Sequence, residues 1–494
     1  MSVPRSSHPP ASDRWRLVAT ALLVYAMCLN PVLHNPMTWS ALDAAVSVVE
    51  TGRWQVSHGD FYGDHDVAMA GPTKVAGPPP GLAFLLVPAY VVWRAVAGTV
   101  DTPAGFVAFH VFATLAIAAT VSALIAAEVS ALAAWLGASP AGQRWTALLF
   151  AFGTPAFLFA TRLFKENLAA LVVIVAFRLV VTAEDPARRL LAGLAAGAAA
   201  LVAYPSGLIG LGLAAVVTAT AGARGLAAFA LGGLPPLAAL ALYNTWLFGR
   251  PWRFAYSTYL NMPEMVADVR FRLPDPSVLL NSLMNQREGL LLYSPFLLLG
   301  VVGLGVAWRA GRRLPAVVVA GFTLTLWGLS AAWLAQFPRS FTGARYLFPA
   351  VPLLAAFAAP VLQRVGSRVR WTLAILSVGL TYLAVQAGHI ADPSPLVYAA
   401  KTFVSGMGLP VLFKETLPAW LSLETLHTTL GRPDVSARDL VTLLGTVAGW
   451  RLVLNQVLVG TAALAAAAVV AAIVRRLWAT EVVSAAPVPQ ALVR

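Results

Sequence analysis

Long apolar stretches set the fold class of this chain. Stretches of roughly 17 to 25 apolar residues recur from end to end, long enough to cross a hydrocarbon core of about 30 Å as helices. Hydrophobic residues make up 59% of the 494 residues and charged residues only 11%, whereas soluble proteins carry about 25% charged residues. Barrel strands would alternate polar and apolar residues, and these stretches do not. The sequence therefore predicts an all-α, polytopic transmembrane protein.

The membrane segments number about 11 to 13. The candidate spans are residues 16–33, 81–98, 104–127, 144–160, 167–183, 189–203, 206–221, 225–247, 289–308, 314–335, 346–363, 370–389 and 451–474. Thirteen full crossings cannot join a cytoplasmic N-terminus to a cytoplasmic C-terminus, so we expect one segment between residues 81 and 160 to be re-entrant or incomplete. Segment 144–160 is the first candidate, because Gly153-Thr154-Pro155 interrupts it and Pro breaks helical hydrogen bonding. We divide the chain into a transmembrane module over 1–389, a loop with a final membrane helix over 390–478, and a disordered tail over 479–494.

The distribution of charge orients the protein in the membrane. The net charge is +13, and the basic residues cluster in short loops between apolar stretches. These loop residues are Arg309, Arg312, Arg313, Arg364, Arg368, Arg370, Arg475 and Arg476. This is the pattern of cytoplasmic loops, and no nucleic-acid-binding motif accompanies it. We expect a multi-pass protein of the plasma (inner) membrane, with its longer loops, including residues 34–79, on the outer face.

The loop over residues 34–79 concentrates carboxylates. Five of the 21 acidic residues of the chain lie in it: Asp43, Glu50, Asp60, Asp64 and Asp66. The apolar spacing around Asp43 predicts an amphipathic helix along the membrane surface, which Gly52 would end. Asp43 would then be either a solvated residue or a general base for an incoming hydroxyl, with Glu50 on the same face. The last three acids loosely resemble a divalent-cation loop but lack its Gly and terminal Glu, which favours solvated acids.

A set of basic residues lies at the outer ends of the predicted helices. It comprises Lys74, Arg162, Arg287, Arg339 and Arg345, with Tyr346 beside the last. Arginines on the outer side oppose the usual charge bias, and a guanidinium can bind two phosphate oxygens at once. Two simpler interpretations stay open: Lys74 as an interfacial lysine, and Arg162 as the i,i+4 partner of Glu166 on one helix.

Several motifs in a fixed order resemble the GT-C superfamily of integral-membrane glycosyltransferases. They are SALDAAVSVVETGRW, KVAGPPPGLAFLLVPAY, FGTPAFLFATRLFKENLAAL, YNTWLFGRPW, REGLLLYSPFLLLG and GARYLFPAVPLL, spread over residues 16–389. The similarity is greatest to the bacterial branch of protein O-mannosyltransferases and lipid A aminoarabinose transferases. Many relatives carry two adjacent acids in the first loop, whereas Ala44 follows Asp43 here, so Glu50 and Asp66 are auxiliary candidates.

The resemblance implies an inverting glycosyltransferase. The donor would be a polyprenyl-phosphate-linked sugar, and the acceptor a hydroxyl of a glycolipid, polysaccharide or protein on the outer face. Asp43 would be the general base and Glu166 the second acid, while Lys74 and Arg345, with Arg287, would hold the donor phosphate. Arg162, Arg339 and Tyr346 are auxiliary candidates. No cofactor is required by this scheme, and a divalent cation stays an open possibility.

Two other functions compete with this one. A flippase or transporter of lipid-linked sugars would need charged residues inside its membrane spans. In this sequence the charged residues avoid the middle of most spans, and we expect the exception, Arg178, to reach toward the inner surface. An O-antigen polymerase or ligase would place its basic residues in a large later loop, and loop 390–450 is the candidate. The chain has no phosphate-binding P-loop motif, and its single cysteine and few histidines match no zinc motif.

Overall fold

The computed structural model describes residues 11–29, 36–63, 66–260, 273–286, 289–333, 344–386 and 450–479. In this part of the chain the protein is a bundle of α-helices with one small hairpin. The helices are α1 (Ala11–Met27), α2 (Pro36–Thr51), α3 (Gly81–Ala97), α4 (Pro103–Ala113), α5 (Thr120–Trp135), α6 (Pro140–Gly153), α7 (Pro155–Ala160), α8 (Lys165–Val181), α9 (Pro186–Val202), α10 (Ile209–Phe248), α11 (Pro276–Met284), α12 (Leu290–Tyr293), α13 (Leu298–Arg309), α14 (Arg313–Trp333), α15 (Val351–Leu362), α16 (Ser367–Gln386) and α17 (Trp450–Ala479).

Shorter elements connect these helices. A π-helical stretch, Thr114–Ala119, joins α4 to α5. Single 3-10 turns cover Gly59–Phe61, Tyr204–Leu208, Ala255–Thr258, Pro295–Leu297 and Arg345–Ala350. Strands β1 (Val67–Ala70) and β2 (Thr73–Ala76) pair antiparallel. The 34–79 segment, which the sequence predicts to be a loop, therefore contains a β-hairpin.

The structure confirms that the chain forms apolar helices of membrane-crossing length. Within the described residues, five helical stretches are long and apolar enough to cross a membrane: Pro103–Trp135, Tyr204–Phe248, Arg313–Ala332, Arg345–Leu362 and Ser367–Val385. Two shorter apolar helical stretches are Gly81–Ala97 and Pro295–Arg309. The protein is a polytopic helical membrane protein.

Capping residues before proline define many helix starts. Thr102, Ser139, Thr154 and Asp185 each accept a hydrogen bond from a backbone N–H of the first turn, and Pro follows each at the first helical position. Pro suits this position because its missing N–H would have no helical partner there. At Thr154 this cap separates α6 from α7, so the predicted break at Gly153-Thr154-Pro155 is present.

Small residues bring membrane helices into backbone contact. A methyl group placed on Gly193 of α9 would lie 1.8 Å from the carbonyl oxygen of Phe229 on α10. Likewise, one on Gly303 of α13 would lie 1.8 Å from the carbonyl oxygen of Phe357 on α15. Such close approach is how membrane helices gain packing contacts without a hydrophobic driving force.

The basic loops gather at one end of the bundle. Arg312 donates to the carbonyl oxygens of Trp135 and Leu136, at 2.7 and 3.2 Å. At the same end, the side-chain oxygen of Gln363 accepts from the backbone N–H of Ser139 at 2.9 Å. By the charge rule of membrane proteins, the prediction for this end is that it faces the cytoplasm.

The structure adds a partner for Arg178 and corrects one expectation about α2. Arg178 forms a two-pronged ion pair with Glu128 of α5, with Nη2 3.2 Å from Oε1, and its reach toward the inner surface stays a prediction. Helix α2 does not lie on a surface with a solvated polar face, because every residue of its described part from Thr38 to Ser47 is buried. Asp43 therefore meets protein groups rather than water.

Candidate active site

Asp43 is the centre of a dense hydrogen-bond network. Its carboxylate is fully buried and accepts from the backbone N–H groups of Ser57 and His58, at 3.0 and 2.8 Å. The Tyr62 hydroxyl donates to it at 3.0 Å and the Ser47 hydroxyl lies at 3.4 Å. This arrangement compensates the buried charge and fastens the segment that follows α2 onto the helix.

His58 completes this network through its side chain. Its Nδ1 lies 2.9 Å from Oδ1 of Asp43, and its ring packs against Phe61 and Phe106, with centroids 5.2 and 6.3 Å away. The hydrogen bond to Asp43 raises the pKa of His58 above its usual value, although burial acts in the opposite direction. Sequence reasoning passed over His58 and Tyr62, since neither belongs to a recognisable motif.

Glu50 contacts a different element from Asp43. It accepts a hydrogen bond of 2.6 Å from the Tyr90 hydroxyl and lies 3.5 Å from Arg94, both on α3. These contacts join the end of α2 to α3, and Gly52, with φ of +70°, ends α2 as predicted.

The hairpin links the segment after α2 to a loop far along the chain. The backbone N–H of Val56 donates to the Lys74 carbonyl oxygen, and that of Leu260 donates to the Val67 carbonyl oxygen, both at 2.8 Å. Lys74 lies on β2 opposite Met69 and is partly buried. The hairpin therefore connects the Asp43 network to residues around Tyr259.

Asp66 lies at the start of this hairpin in an unusual backbone conformation. Its φ is +53°, a region that few residues other than Gly, Asn and Asp adopt. Its carbonyl oxygen accepts from the Gly77 N–H at 2.9 Å, which closes the hairpin, and the residue is buried. Asp66 is therefore not a solvated loop acid, unlike Asp60, which is exposed.

A second group of charged residues lies at the turn between α7 and α8. Arg162, Lys165 and Glu166 are all buried there. The Thr38 hydroxyl of α2 donates to the Leu163 carbonyl oxygen at 2.5 Å, which fixes α2 against this turn. Because α8 begins at Lys165, Arg162 and Glu166 do not occupy i and i+4 of one helix, and that interpretation is wrong.

The Glu166 carboxylate is unusual among the described residues. Only 3% of the residue is exposed, yet neither carboxylate oxygen has a hydrogen-bond partner within the part of the chain that the structure describes. The neighbouring Lys165 instead donates to the Tyr256 hydroxyl at 3.4 Å. A buried carboxylate without a donor is energetically costly, and such groups concentrate where a ligand supplies the partner.

Arg345 approaches this carboxylate from another part of the chain. Ala344, with φ of +50°, turns the backbone immediately before it. The Arg345 guanidinium donates to the Tyr346 hydroxyl at 2.8 Å and lies 4.8 Å from the centre of that ring. It also interacts electrostatically with Glu166 and Asp66, so its positive charge lies in the same region as both buried acids.

Tyr256 lies among these charges. Burial raises the pKa of its phenol, the negative charges of Asp66 and Glu166 raise it further, and the positive charge of Arg345 acts in the opposite direction. Residues from the first loop, the start of α8, the loop after α10 and the start of the Arg345–Leu362 stretch thus meet at one place. We call Asp66, Lys165, Glu166, Tyr256 and Arg345 the charged cluster.

Some predicted site residues stay untested. Arg287, Arg339 and Asp64 lie outside the described residues, as does most of the 390–450 loop. Across the described ranges, no group of three or more His, Cys, Asp and Glu side chains is placed to hold a metal ion. A role for a divalent cation therefore stays a prediction.

Comparison with known proteins gives the architecture. No family model matches the sequence, and no curated protein matches it. The fold, however, superposes on ArnT from Cupriavidus metallidurans bound to undecaprenyl phosphate, with a TM-score of 0.52 over 84% of this chain and 74% of that one. The chain has the GT-C fold.

The sequences have diverged far more than the folds. Identity to that ArnT structure is 16%. The apo state of the same ArnT gives a TM-score of 0.49 at 16% identity, covering 86% of this chain and 75% of that one. The oligosaccharyltransferase of Archaeoglobus fulgidus gives 0.44 at 15% identity, covering 78% and 52%. The superposition on the ArnT structure with bound undecaprenyl phosphate confirms the predicted GT-C fold, at the level of fold alone.

Proposed function

We propose that this protein is a membrane glycosyltransferase that moves a sugar from a polyprenyl-phosphate carrier to an acceptor hydroxyl. The observation that carries the proposal is the buried Glu166 carboxylate, which lacks a hydrogen-bond donor and lies within electrostatic range of Arg345. A base and a phosphate-binding cation are the two groups that this reaction needs from the protein. The ArnT structure with the same fold contains undecaprenyl phosphate, which supports a donor of this class.

The reaction is a single displacement with inversion. The acceptor oxygen forms a bond to the anomeric carbon while the bond from that carbon to the phosphate oxygen breaks. The electron pair leaves with the polyprenyl phosphate, whose charge Arg345 stabilises, with Lys165 and Lys74 as further cations. The acceptor proton goes to a carboxylate on the opposite side of the sugar ring. No nucleotide takes part, because the sugar is already activated on its lipid.

We assign the base to Glu166 rather than to Asp43. Donors surround both oxygens of Asp43 and leave little room for a substrate hydroxyl. Neither oxygen of Glu166 has a hydrogen-bond donor among the described residues, so both stay available to an acceptor hydroxyl. Asp43 as general base stays a prediction of the sequence, and its variant separates the two assignments, as described in the Discussion.

The predicted orientation of the bundle supports a location for the reaction. The charged cluster includes Asp66 at the start of the hairpin, and the hairpin and α2 belong to the first loop, which the charge rule predicts to lie on the outer face. We therefore place the reaction on the outer face of the plasma membrane. The acceptor would be a glycolipid, polysaccharide or protein exposed there.

The test uses the full-length protein in liposomes with undecaprenyl-phosphate-linked hexoses and pentoses and a membrane extract as acceptor source. Release of undecaprenyl phosphate is measured by mass spectrometry. Glu166→Gln should slow release by about 100-fold or more, whereas Glu184→Gln, at an exposed residue after α8, should not change it. Full activity of Glu166→Gln would refute the base assignment. Donor movement across the bilayer without cleavage would refute the transferase in favour of a flippase.

Arg345→Ala provides a second readout that does not need the correct sugar. Loss of the guanidinium should weaken binding of plain undecaprenyl phosphate, while Arg345→Lys should restore it only in part because Lys binds phosphate as a point charge. Unchanged affinity in Arg345→Ala would remove this residue from the phosphate site.

A further inference from the structure

Three tyrosines beside the charged cluster form a continuous aromatic surface. The ring centres of Tyr204 and Tyr256 are 5.8 Å apart at 85°, and those of Tyr256 and Tyr259 are 5.4 Å apart at 42°. Phe254 packs on the far side of Tyr204 at 4.3 Å. The tyrosines come from the 3-10 turn before α10 and from the loop after it, so the fold, not sequence proximity, assembles them.

Two of these tyrosines carry buried hydroxyls without partners. Within the described residues, neither the Tyr204 nor the Tyr259 hydroxyl oxygen has a hydrogen bond, and both oxygens are inaccessible to solvent. Other buried tyrosines of this protein are paired: Tyr25 donates to the Ala151 carbonyl oxygen at 3.0 Å, and Tyr62 donates to Asp43. An unmade hydrogen bond in a buried site costs free energy, so two neighbouring unmade bonds indicate a ligand with its own polar groups.

The position of Tyr259 is tightly fixed. It forms a backbone bridge with Ala68 of β1, and a methyl group on Gly77 would lie 2.0 Å from its ring. The acids of the charged cluster are close, since Asp66 acts electrostatically on Tyr259 and on Tyr256. The aromatic surface is thus held rigidly against the proposed phosphate and base groups.

We propose that Tyr204, Tyr256 and Tyr259 form the subsite that binds the sugar ring of the donor. Sugar rings present C–H faces that pack on aromatic rings and hydroxyls that pair with buried tyrosine hydroxyls. An isoprenoid chain would cover the rings but leave both hydroxyls unpaired, so it fits this surface less well. The inference rests on the proposed function, because it needs a lipid-linked sugar as substrate.

Tyr259→Phe and Tyr204→Phe test the subsite because each removes only a hydroxyl that has no hydrogen bond within the described residues. Thermal stability should stay equal or rise, since an unpaired buried polar group is lost. The KM for an undecaprenyl-phosphate-linked sugar that the wild type uses should rise between about threefold and tenfold per variant, the value of one neutral hydrogen bond. Binding of undecaprenyl phosphate without sugar should not change.

Tyr25→Phe is the matched control. It removes a hydroxyl paired within the protein, so it should lower thermal stability and leave the KM unchanged. The inference is overturned if Tyr259→Phe and Tyr204→Phe keep the wild-type KM, or if they weaken binding of sugar-free undecaprenyl phosphate as much as that of the donor. If the wild type releases undecaprenyl phosphate from no donor, the proposed function itself fails, which is a different result.

Discussion

Replacement of Asp43 by Asn tests whether Asp43 stabilises the structure of the site or takes part in the reaction. In the wild type, Oδ1 accepts from the Ser57 N–H and His58 Nδ1, and Oδ2 accepts from the His58 N–H and the Tyr62 hydroxyl. An Asn side chain keeps one of the two oxygens and replaces the other by an NH₂ group, which faces the donors that the lost oxygen accepted from. At least one backbone N–H then loses its acceptor, and the remaining hydrogen bonds no longer have a charged acceptor.

The size of this effect follows from the hydrogen bonds. A hydrogen bond to a charged group is worth about 1.5 to 3 kcal/mol. Loss of one such bond and weakening of the others should therefore reduce the local stability of the segment after α2 by about 3 kcal/mol. Since about 1.4 kcal/mol is a factor of ten in an equilibrium constant, opening of this segment should become on the order of 100-fold more frequent.

Hydrogen–deuterium exchange measures this directly. In Asp43→Asn, the amides of the peptide covering residues 53–62 should exchange on the order of 100-fold faster, whereas Asp60→Asn, at an exposed acid in the same peptide, should leave exchange unchanged. The rate of sugar transfer should fall in proportion to the fraction of molecules in which residues 53–62 are no longer ordered. Wild-type protection together with abolished transfer would refute this reasoning and identify Asp43 as the base.

Three further predictions follow from other contacts. Because the pKa of His58 is raised in the folded protein, its contribution to stability is complete below the unfolded pKa near 6.5 and is lost as the pH rises through the folded pKa. A thermal scan across pH should show this decline, and His58→Gln should flatten it. Gly77→Ala should displace the Tyr259 ring, because the new methyl group would lie 2.0 Å from it. The expected result is a higher KM for the lipid-linked sugar in a variant that still inserts into the membrane. Glu128→Gln leaves Arg178 without its partner and should cost about 3 kcal/mol; equal thermal stability of Glu128→Gln and the wild type would show that the pair contributes little.

Local sequence signals predicted the helices well. The break at Gly153-Thr154-Pro155 appears as the end of α6 and the start of α7, and Gly52 ends α2. These features depend on capping, on proline and on apolar length, which act within one or two helical turns. The hairpin at Val67–Ala76 was not foreseen, because two four-residue strands give a weak signal inside a predominantly helical protein.

From the sequence, Asp43 is predicted to be the base and Glu166 the second acid, and both roles stay predictions. Asp43 lies in the middle of α2 and Glu166 in the first turn of α8, and neither position indicates how many hydrogen-bond donors surround the acid. The tertiary structure shows this difference, since it surrounds Asp43 with donors and leaves Glu166 with none among the described residues. Hydrogen-bond partners 14 to 19 positions away depend on where the chain returns, which no local pattern specifies.

The sequence by itself determined that this chain is a helical membrane protein, and the order of its motifs predicted the GT-C fold. Those properties are sums over many residues, set chiefly by the transfer of apolar segments into lipid. Only the tertiary structure brought Asp66, Glu166 and Arg345 around Tyr256. The reason is that electrostatic and hydrogen-bond contacts act over short distances, and chain segments separated by 89 residues or more come that close only through helix packing.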